Sequence, residues 1–423
     1  MTIKQKKTIA IAATGGTIAG TGEAGKTAVY HAGEMNVESI LETIPMIRNV
    51  ADIETVQLFN VDSNEMDEEK WITLANQLNE LAARPDIDGI VVTHGTDTLD
   101  ETAYFLNLTV YTQKPVVLTG AMRPATATSA DGPFNLYQAV CLAASDDARG
   151  QGVMAVFSNT IYSGRDIQKV NNYKTDAFDQ NAFGCLGYMQ DETAYFFSRS
   201  FKTHTMQSIF ALRRLESLAK VAVVYFYAGA DEKILDYLAE THEGIVIVGS
   251  GSGNYNRKWM KTMEKLAEKG TVFVRASRVS QGIVFDDRVF DPMDVCIGAN
   301  TLSGQKARVL LMLALTITKD VKQKSIVCII IDNTNDTFLM KRRNVKMWIV
   351  IFLGGALLTG YALYRQAVRE SGSRFQCRHC GHTFRTEWKN LFLATHSWGE
   401  YKLKCPNCGA ADYCANLDKK KKK

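Results

Sequence analysis

Most of this chain has few cysteines, and their spacing fits neither a disulfide framework nor a metal site. Residues 1–339 contain four cysteines that are far apart in the sequence: Cys141, Cys185, Cys296 and Cys328. Small secreted domains that depend on disulfides carry more cysteines at closer spacing. We therefore expect these thiols to be reduced and structural. The length of 423 residues is sufficient for two or three hydrophobic cores.

The N-terminus also lacks the long apolar segment of an export signal. A basic start leads into an apolar run at residues 8–13. A secretory signal needs an apolar region of about 7–15 residues followed by a cleavage site, whereas this run enters a glycine-rich loop. We predict a first β-strand here and a cytoplasmic location for this part of the chain.

Charge of both signs is present, but it is unevenly distributed, and the net charge of +4 conceals this. Residues 340–423 contain 17 Lys and Arg against 5 Asp and Glu, which leaves residues 1–339 with a net charge of −8. An acidic body joined to a basic tail indicates a boundary between two parts with different roles.

Short β-branched runs recur through the acidic body and alternate with amphipathic segments. The predicted strands are residues 8–13, 89–93, 115–119, 153–158, 221–227, 244–248 and 271–275. The predicted helices are residues 66–83, 99–111, 135–144, 257–269 and 305–318. This alternation is typical of an α/β fold with a parallel sheet covered on both faces, in which ligands bind beyond the carboxyl ends of the strands.

The alternating pattern is interrupted once within the body. Residues 191–218 contain no long buried-strand signal, and the pattern resumes at Val221. We therefore predict a larger α/β domain at residues 1–200, a linker at 201–220 and a smaller α/β domain at 221–325.

The first predicted strand leads into a loop with two adjacent glycines, Thr14-Gly15-Gly16-Thr17-Ile18-Ala19-Gly20. Glycines let the backbone approach a ligand closely and expose its amide groups, and Thr17 adds a hydroxyl at the end of the strand. The loop lacks the Walker lysine and the G-x-G-x-x-G spacing. By itself it is compatible with a phosphate-binding loop or with a structural turn.

Two further loops carry groups suited to acid–base chemistry. Residues 91–98 read Val-Val-Thr-His-Gly-Thr-Asp-Thr. A purely structural role is also compatible with this loop, in which it forms an ordinary helix cap and His94 is a packed histidine. Residues 163–169 read Ser-Gly-Arg-Asp-Ile-Gln-Lys. Lys169 fits either a surface ion pair or a proton acceptor whose pKa is lowered beside a buried acid and a hydroxyl.

In combination, these loops resemble those of the bacterial L-asparaginases, which have a Thr-Gly-Gly-Thr-Ile-Ala-Gly loop and a His-Gly-Thr-Asp-Thr loop. Further matching segments follow in order at residues 115–124, 129–136, 164–166, 277–279 and 305–311. The resemblance covers residues 6–320. It implies a two-domain parallel-sheet architecture, hydrolysis of L-asparagine to L-aspartate and ammonia, a homotetramer, and no cofactor for catalysis.

The resemblance also implies catalytic roles for individual residues. Thr17 corresponds to the nucleophile, which forms a β-aspartyl ester, and Tyr30 corresponds to a tyrosine that polarises it. Thr96, Asp97 and Lys169 correspond to a second set that activates a nucleophile or assists proton transfer. The residues alone do not determine which threonine attacks.

The implied substrate-binding positions are Ser63, Asn64, Thr96, Asp97 and Asn254. Ser63 and Asp97 correspond to groups that bind the α-carboxylate and α-ammonium groups, and Asn254 corresponds to a residue that reaches a neighbouring subunit's site. Asn64 stands where better-known members carry Gln or Glu, which leaves the preference for asparagine or glutamine open.

The sequence departs from the family near its C-terminal end. A glutamate that the family contributes across subunits has no clear match, and three acidic residues are candidates for its place: Asp286, Asp287 and Asp291. After residue 320, the family's last helix is replaced by residues 321–338, which are first apolar and then polar.

The basic tail contains an uncharged stretch at residues 348–364, flanked by Lys and Arg. As a helix it would extend about 26 Å, just enough to cross a bilayer with snorkelling basic ends. We predict a junction at residues 326–346 and a transmembrane helix at 347–364, which implies possible membrane association. A buried core helix is the alternative.

Two Cys-x-x-Cys-Gly motifs follow in the tail, and they contain Cys377, Cys380, Cys405 and Cys408. Four thiolates at this spacing satisfy a tetrahedral structural zinc ion, although a disulfide or redox pair is the alternative. We predict a structural zinc ribbon at residues 374–415 and a basic end at 416–423. The sequence does not identify a partner for the ribbon.

Three functions are compatible with the whole sequence. The leading hypothesis is an L-asparaginase with a small amino-acid substrate. The second is a glutaminase-asparaginase or a transamidosome subunit, and the third is a membrane-tethered zinc-ribbon adaptor with an inactive amidase body. Because Met-Lys-Arg-Arg at residues 340–343 resembles the start of a separate protein, we also hypothesise that two reading frames are joined here.

Overall fold

The described part of the chain forms two separate units. The computed structural model describes residues 6–27, 30–180, 183–212, 214–317, 361, 363–392, 394–397 and 400–419. One unit lies within Met1–Asn333 and the other within Thr334–Lys423. The predicted junction at 326–346, the stretch at 321–338 and most of the predicted transmembrane helix at 347–364 lie outside the described residues. Within the described residues, no helix is long and apolar enough to cross a membrane.

The first apolar run forms β1 (Lys7–Gly15), an interior strand of an eight-stranded sheet. It pairs in parallel with β4 (Ala51–Val61) and β5 (Gly89–Thr93). The parallel pairing continues through β6 (Val116–Thr119) and β7 (Val153–Phe157). Helices cover both faces of β5, β6 and β7, which explains why these three strands are buried along their whole length.

The sheet is mostly parallel, as predicted, but the strands after β7 run antiparallel and form an edge that the prediction did not include. Ser158 and Asn159, with φ angles of +46° and +66°, connect β7 to β8 (Thr160–Ser163). A two-residue turn joins antiparallel strands, whereas a parallel neighbour requires a crossover of about a dozen residues. β11 (Gly187–Gln190) and β12 (Thr193–Phe196) extend this antiparallel edge. The strand order is β12-β11-β8-β7-β6-β5-β1-β4.

Two small antiparallel pairs accompany the large sheet. One pairs β2 (Thr21–Gly22) with β3 (Tyr30–His31). The other pairs β9 (Gln168–Lys169) with β10 (Phe178–Asp179). Both pairs contain residues of the candidate site, so they determine where Tyr30 and Lys169 lie.

Helices cover the large sheet on both sides. α3 (Glu68–Ala83) and α4 (Leu99–Thr109) share one core with one face of the sheet. The other core contains residues of α1 (Val37–Glu42), α2 (Ile47–Val50) and α5 (Gly132–Ala143). Asp67 caps α3 by accepting a hydrogen bond from the Lys70 backbone N–H at 2.9 Å. The corresponding predicted helices agree with these bounds to within about three residues.

A second, fully parallel sheet follows in the same unit. Its order is β13 (Val221–Tyr225), β14 (Gly244–Gly249), β15 (Val272–Ser277) and β16 (Cys296–Gly298). α6 (Lys233–Thr241) and α7 (Arg257–Glu268) cover one face. α8 (Gly304–Ile317) covers the other face and shares its core with α3 and α4. A helix from the second sheet therefore packs against the helix that begins beside the candidate site.

The second unit is a small antiparallel sheet. Its strands are β17 (Arg374–Gln376), β18 (Thr383–Arg385), β19 (His396–Ser397), β20 (Glu400–Lys404) and β21 (Ala411–Asn416). They lie in the order β18-β17-β21-β20-β19. A short helix covers Trp388–Phe392, and residues 363–370 are also helical. Its core includes Phe375, Leu391 and Tyr401.

Candidate active site

Two glycines allow the loop after β1 to touch the loop after β5. Gly15 and Gly16 have φ angles of +104° and +82°, a region that favours glycine. A Cβ atom on Gly16 would lie 2.4 Å from the Cα atom of Gly95. The backbones can therefore meet only because Gly16 has no side chain. This contact places Thr17, the next residue, beside the loop that carries Thr96.

Thr17 has a tyrosine as its hydrogen-bond partner. Its side chain is buried, and its Oγ1 atom lies 2.9 Å from the Tyr30 hydroxyl. Tyr30 lies on the β2–β3 hairpin. This hairpin is attached to the loop after β6 by a hydrogen bond from the Gly22 backbone N–H to Thr126 Oγ1, at 3.0 Å. Tyr30 is thus placed to polarise the Thr17 hydroxyl or to move its proton.

Thr96, Asp97 and Lys169 form the second set of side chains, as the sequence predicts. Lys169 Nζ donates to Thr96 Oγ1 at 2.8 Å and to Asp97 Oδ1 at 2.5 Å. The Lys169 side chain is mostly buried, whereas more than half of the Asp97 side chain is exposed. Hydrogen bonding to the Lys169 ammonium holds the pKa of Asp97 below its ordinary value. The carboxylate therefore stays ionised although much of the side chain is exposed.

The loop after β4 contributes Ser63 and Asn64. The Ser63 hydroxyl is buried and accepts a hydrogen bond from the Asp97 backbone N–H at 3.2 Å. The Asn64 amide donates to Asp62 Oδ1 at 2.8 Å and to Asp97 Oδ2 at 3.4 Å. Both residues thus surround Asp97. Thr98 occupies the N-cap position of α4, but its hydroxyl donates to the Ser63 carbonyl at 2.8 Å and makes no capping hydrogen bond with the helix.

His94 is a buried structural residue, in agreement with the packed-histidine alternative. Trp71 Nε1 donates to Thr102 Oγ1 at 2.8 Å, and Thr102 Oγ1 lies 3.0 Å from His94 Nε2. The Thr102 hydrogen therefore points to Nε2, and His94 Nδ1–H donates to the Gly95 carbonyl at 2.7 Å. Burial lowers the pKa of His94 to about 4, so the ring is neutral. This chain of hydrogen bonds holds the Gly95–Thr96 backbone in place.

The Trp71–Thr102–His94 chain was not predicted from the sequence. Trp71 lies on α3 and Thr102 on α4, and their bond depends on how the two helices pack. Of these three residues, only His94 was identified from the sequence, as a packed histidine.

Asn254 lies apart from these residues in its own chain. It follows β14 in the second sheet, where its backbone pairs with that of Ser250. Within the described part of the chain, no hydrogen bond joins it to Thr17, Thr96 or Lys169. Asp291, one candidate for the missing glutamate, is buried and accepts a hydrogen bond from the Cys296 backbone N–H at 2.6 Å.

The arrangement is that of a hydrolytic site with a hydroxyl nucleophile. Two buried threonines lie at the carboxyl ends of adjacent parallel strands, and each is bonded to a group that can transfer a proton. The chain belongs to the asparaginase family. The family model "Asparaginase, N-terminal" matches residues 8–202, and "Glutaminase/Asparaginase C-terminal domain" matches residues 220–325. The protein is therefore an enzyme of the amidohydrolase class.

Individual relatives give the same assignment. The chain is 42% identical to the "Probable L-asparaginase periplasmic" of Haemophilus influenzae, over 74% of this chain and 90% of that protein. It is 40% identical to the "Glutaminase-asparaginase" of Pseudomonas fluorescens biotype A, over 74% of this chain and 88% of that protein. The solved structure of the probable cytoplasmic L-asparaginase of Campylobacter jejuni is 43% identical, with a TM-score of 0.73, and covers 76% of this chain and 99% of its own.

Replacing Gly16 by alanine is expected to lower kcat/KM for amide hydrolysis by about 100-fold or more, because a displacement of about 1 Å in a catalytic group has that effect. Gly150→Ala is the matched control. Gly150 also has a positive φ, +71°, but no atom lies within 4 Å of the position that a Cβ atom would take there. Steady-state kinetics and thermal unfolding of both variants measure the difference. Wild-type activity in Gly16→Ala would contradict the proposed contact.

Proposed function

We propose that this enzyme hydrolyses the side-chain amide of L-asparagine to L-aspartate and ammonia. One observation carries the proposal: two buried threonine hydroxyls, each bonded to a proton-transfer group, lie on loops that touch at Gly16 and Gly95. The L-asparaginases among the relatives support the same reaction. The inactive-adaptor alternative is not favoured, because both Thr17 and Thr96 keep their partners.

In the first half of the proposed reaction, the amide is exchanged for an ester. Thr17 Oγ1 attacks the amide carbon and its proton passes towards Tyr30, which is 2.9 Å away. Donors that stabilise the oxyanion of the tetrahedral intermediate contribute about 3–4 kcal/mol each in such sites. The C–N bond then breaks, the nitrogen takes up a proton, and ammonia leaves a β-aspartyl ester on Thr17. The choice of Thr17 over Thr96 follows from the family resemblance.

In the second half, water hydrolyses the ester. The proposed proton carriers are Thr96 and Lys169, whose Oγ1 and Nζ atoms are 2.8 Å apart. The water adds to the ester carbon and gives up a proton, the bond to Thr17 Oγ1 breaks, and the threonine recovers its proton. Asparaginases need no cofactor, and each step here uses a side chain of this site.

The substrate's amino-acid end binds on the Ser63 side in this proposal. The Asp97 carboxylate, kept ionised by Lys169, attracts the α-ammonium group. Asn64 touches the same carboxylate but has a shorter side chain than the Gln or Glu of better-known family members. A glutaminase-asparaginase is the second candidate, since a relative of that name is 40% identical.

Thr17→Ala is expected to reduce kcat for ammonia release by at least about 10⁴-fold, because Thr17 supplies the attacking oxygen in the proposed mechanism. The test compares ammonia release from asparagine and from glutamine, with Thr17→Ser as the conservative control. A mass increase of an acyl group on a rapidly quenched wild-type enzyme should map to Thr17. Equal kcat/KM for the two amides would favour the glutaminase-asparaginase, and an unchanged rate in Thr17→Ala would exclude Thr17 as nucleophile.

We also propose that the catalytic unit is a homotetramer in which Asn254 serves a neighbouring subunit's site. In its own chain, Asn254 lies at the end of a strand of the second sheet, and the candidate catalytic residues lie at the end of the first. The family resemblance gives Asn254 a role at a neighbouring subunit's site, and that role requires another copy of the chain.

Mixing two inactive variants tests this arrangement. Thr17→Ala and Asn254→Ala are each expected to lose activity, whereas co-assembled subunits should recover part of it, since some sites combine an intact Thr17 with a neighbour's intact Asn254. Two preparations mixed without subunit exchange serve as the control. No recovery in mixed tetramers, or a monomer in sedimentation equilibrium, would contradict the proposal.

A cytoplasmic location for the catalytic unit is also part of the proposal. Three of its cysteines, Cys141, Cys185 and Cys296, are not joined in disulfides, as expected in a reducing compartment. The relatives are divided, because one is named cytoplasmic and another periplasmic. The lack of disulfides among these three cysteines favours the cytoplasm.

For the second unit we propose one structural zinc ion held by Cys377, Cys380, Cys405 and Cys408. Their ligand atoms all lie within 4.8 Å of one another. Sγ atoms are 3.8 Å apart in the pair Cys377–Cys408 and 3.7 Å in the pair Cys380–Cys405. Tetrahedral zinc with Zn–S bonds of about 2.3 Å requires about 3.8 Å between sulfurs, whereas a disulfide requires about 2.05 Å. The spacing fits zinc and not a disulfide.

The full-length protein is expected to bind one zinc ion per chain, as measured by elemental analysis after dialysis. Cys405→Ser should lose the zinc because a thiolate is removed. Cys414→Ala should keep it, since Cys414 is buried in the same sheet but lies outside the cluster. Asparaginase activity should be unchanged in both variants. A zinc content that is equal in wild type and Cys405→Ser would contradict the site.

A further inference from the structure

A buried lysine on α8 binds the segment that leads to Lys169. Lys306 is 3% exposed, and its Nζ atom donates to the carbonyl of Arg165 at 2.7 Å and also to the carbonyl of Ile167. Burial lowers the pKa of Lys306 to about 8, and the carboxylates of Asp100 and Asp166 oppose this change. A buried ammonium group is costly unless it is paired. These partners explain how Lys306 is retained in the interior.

The segment held by Lys306 has an unusual path. Thr96 and Asp97 follow the carboxyl end of a parallel strand, so the sheet itself places them at the site. Lys169 instead follows β8, which is antiparallel and ends at Ser163, level with Met154 near the start of β7. Residues 164–168 must therefore return the chain towards Thr96. Their backbone bonds to the large sheet reach only the ends of its strands: the Gly164 N–H donates to the Val153 carbonyl at 2.7 Å, and the Asp166 and Ile167 N–H groups donate to the Ser163 carbonyl.

Side chains from the second half of the unit hold this returning segment. Lys306 binds two of its carbonyls, and the Arg165 guanidinium donates to Thr301 Oγ1 at 2.9 Å, just before α8. Arg165 also pairs with Asp166. Backbone carbonyls of the segment and the Arg165 side chain are thus both bonded to residues at or just before the start of α8.

Lys306 also faces the helix that follows Asp97. Asp100 lies in the first turn of α4, and its carboxylate interacts with Lys306 and with the backbone N–H of Lys169. Asp166, Arg165 and Glu101 are further charged groups near Lys306. One ammonium group therefore connects the segment that carries Lys169 with the helix that adjoins Thr96 and Asp97.

We propose that Lys306 is a positioning residue for the catalytic lysine: by holding the Arg165 and Ile167 carbonyls and facing Asp100, it sets Lys169 against Thr96 and Asp97. The inference rests on the role given to Lys169 in the proposed function. It assigns the second sheet's helix a part in the site of its own chain, which is separate from the contribution of Asn254 to a neighbour.

Arg308 provides a matched control on the same helix. It is two residues further along α8, pairs with Glu68 of α3 at 2.6 Å and donates to the Val221 carbonyl at 3.1 Å. It therefore links α8 to the first sheet's helices, as Lys306 does, and its guanidinium lies 5.9 Å from the centre of the Trp71 ring, but no hydrogen bond or ion pair joins it to the described residues 164–168. Loss of Arg308 reports the effect of a broken inter-sheet contact without a displaced Lys169.

The experiment is a double-mutant cycle in the full-length enzyme with Lys306→Met, Lys169→Met and the double variant. Lys306→Met is expected to lower kcat for asparagine about 100-fold with a smaller change in KM, as for a catalytic group displaced by about 1 Å. Arg308→Met should keep kcat within about threefold at a similar loss of thermal stability. In the Lys169→Met background, adding Lys306→Met should change kcat by less than about threefold, because residues that act as a unit are not additive.

Different outcomes distinguish the role proposed for Lys169 from the role proposed for Lys306. If Lys169→Met keeps the wild-type kcat, the proposed role of Lys169 is wrong, and Lys306 does not act through it. If Lys169→Met is impaired and Lys306→Met adds its full effect, only the inference about Lys306 is wrong. Should Lys306→Met fail to fold, Lys306→Gln, which keeps one donor, replaces it in the cycle with an intermediate loss of kcat expected. A wild-type kcat in that variant would overturn the inference.

Discussion

The backbone contact between Gly16 and Gly95 is the constraint on which the site depends. β1 and β5 are neighbours in the sheet, but adjacent strands alone leave their loops free to diverge. The left-handed conformation of Gly16 and its missing side chain let the two loops touch, and this brings Thr17 beside Thr96. The hydrogen bond from His94 to the Gly95 carbonyl holds the second loop against the first. The contact between these two glycines therefore brings the two threonine hydroxyl groups of the proposed site onto neighbouring loops.

Much of the fold could be predicted because apolar runs and amphipathic periods report burial directly. β5 agrees with its predicted bounds, and β7 differs by one residue. β4 was missed because it is an edge strand whose residues are mostly exposed or half-buried, so residues 51–61 lack a continuous apolar run. The antiparallel edge was missed for a different reason. Its direction depends on the turn at Ser158–Asn159, a weak local signal within a strong hydrophobic pattern.

In the candidate site, too, some residues can be recognised from a local sequence pattern, whereas others can be recognised only from contacts between distant parts of the chain. Thr17, Thr96 and Asp97 were recognisable because each follows a buried strand within a short motif, and Lys169 because of the family resemblance. Lys306 and Trp71 carry no such signal. Lys306 looks like an ordinary lysine in the first turn of a helix, and its contacts with Arg165 and Ile167 lie about 140 residues away in sequence. Side chains that position other side chains become recognisable only when the packing of helices is known.

The placement of Lys169 has a consequence for how the two sheets are used. A lysine at the carboxyl end of a parallel strand would be fixed by the strand itself, whereas Lys169 lies on a segment that α8 must hold. The proposed catalytic set is thus completed by a helix that lies more than 130 residues later in the sequence. Damage to the second sheet would then affect the chemistry of the first without touching a reacting atom. This dependence gives a physical reason for the two sheets to share one continuous core through α8, because a flexible link would leave the buried Lys306 ammonium without its carbonyl partners.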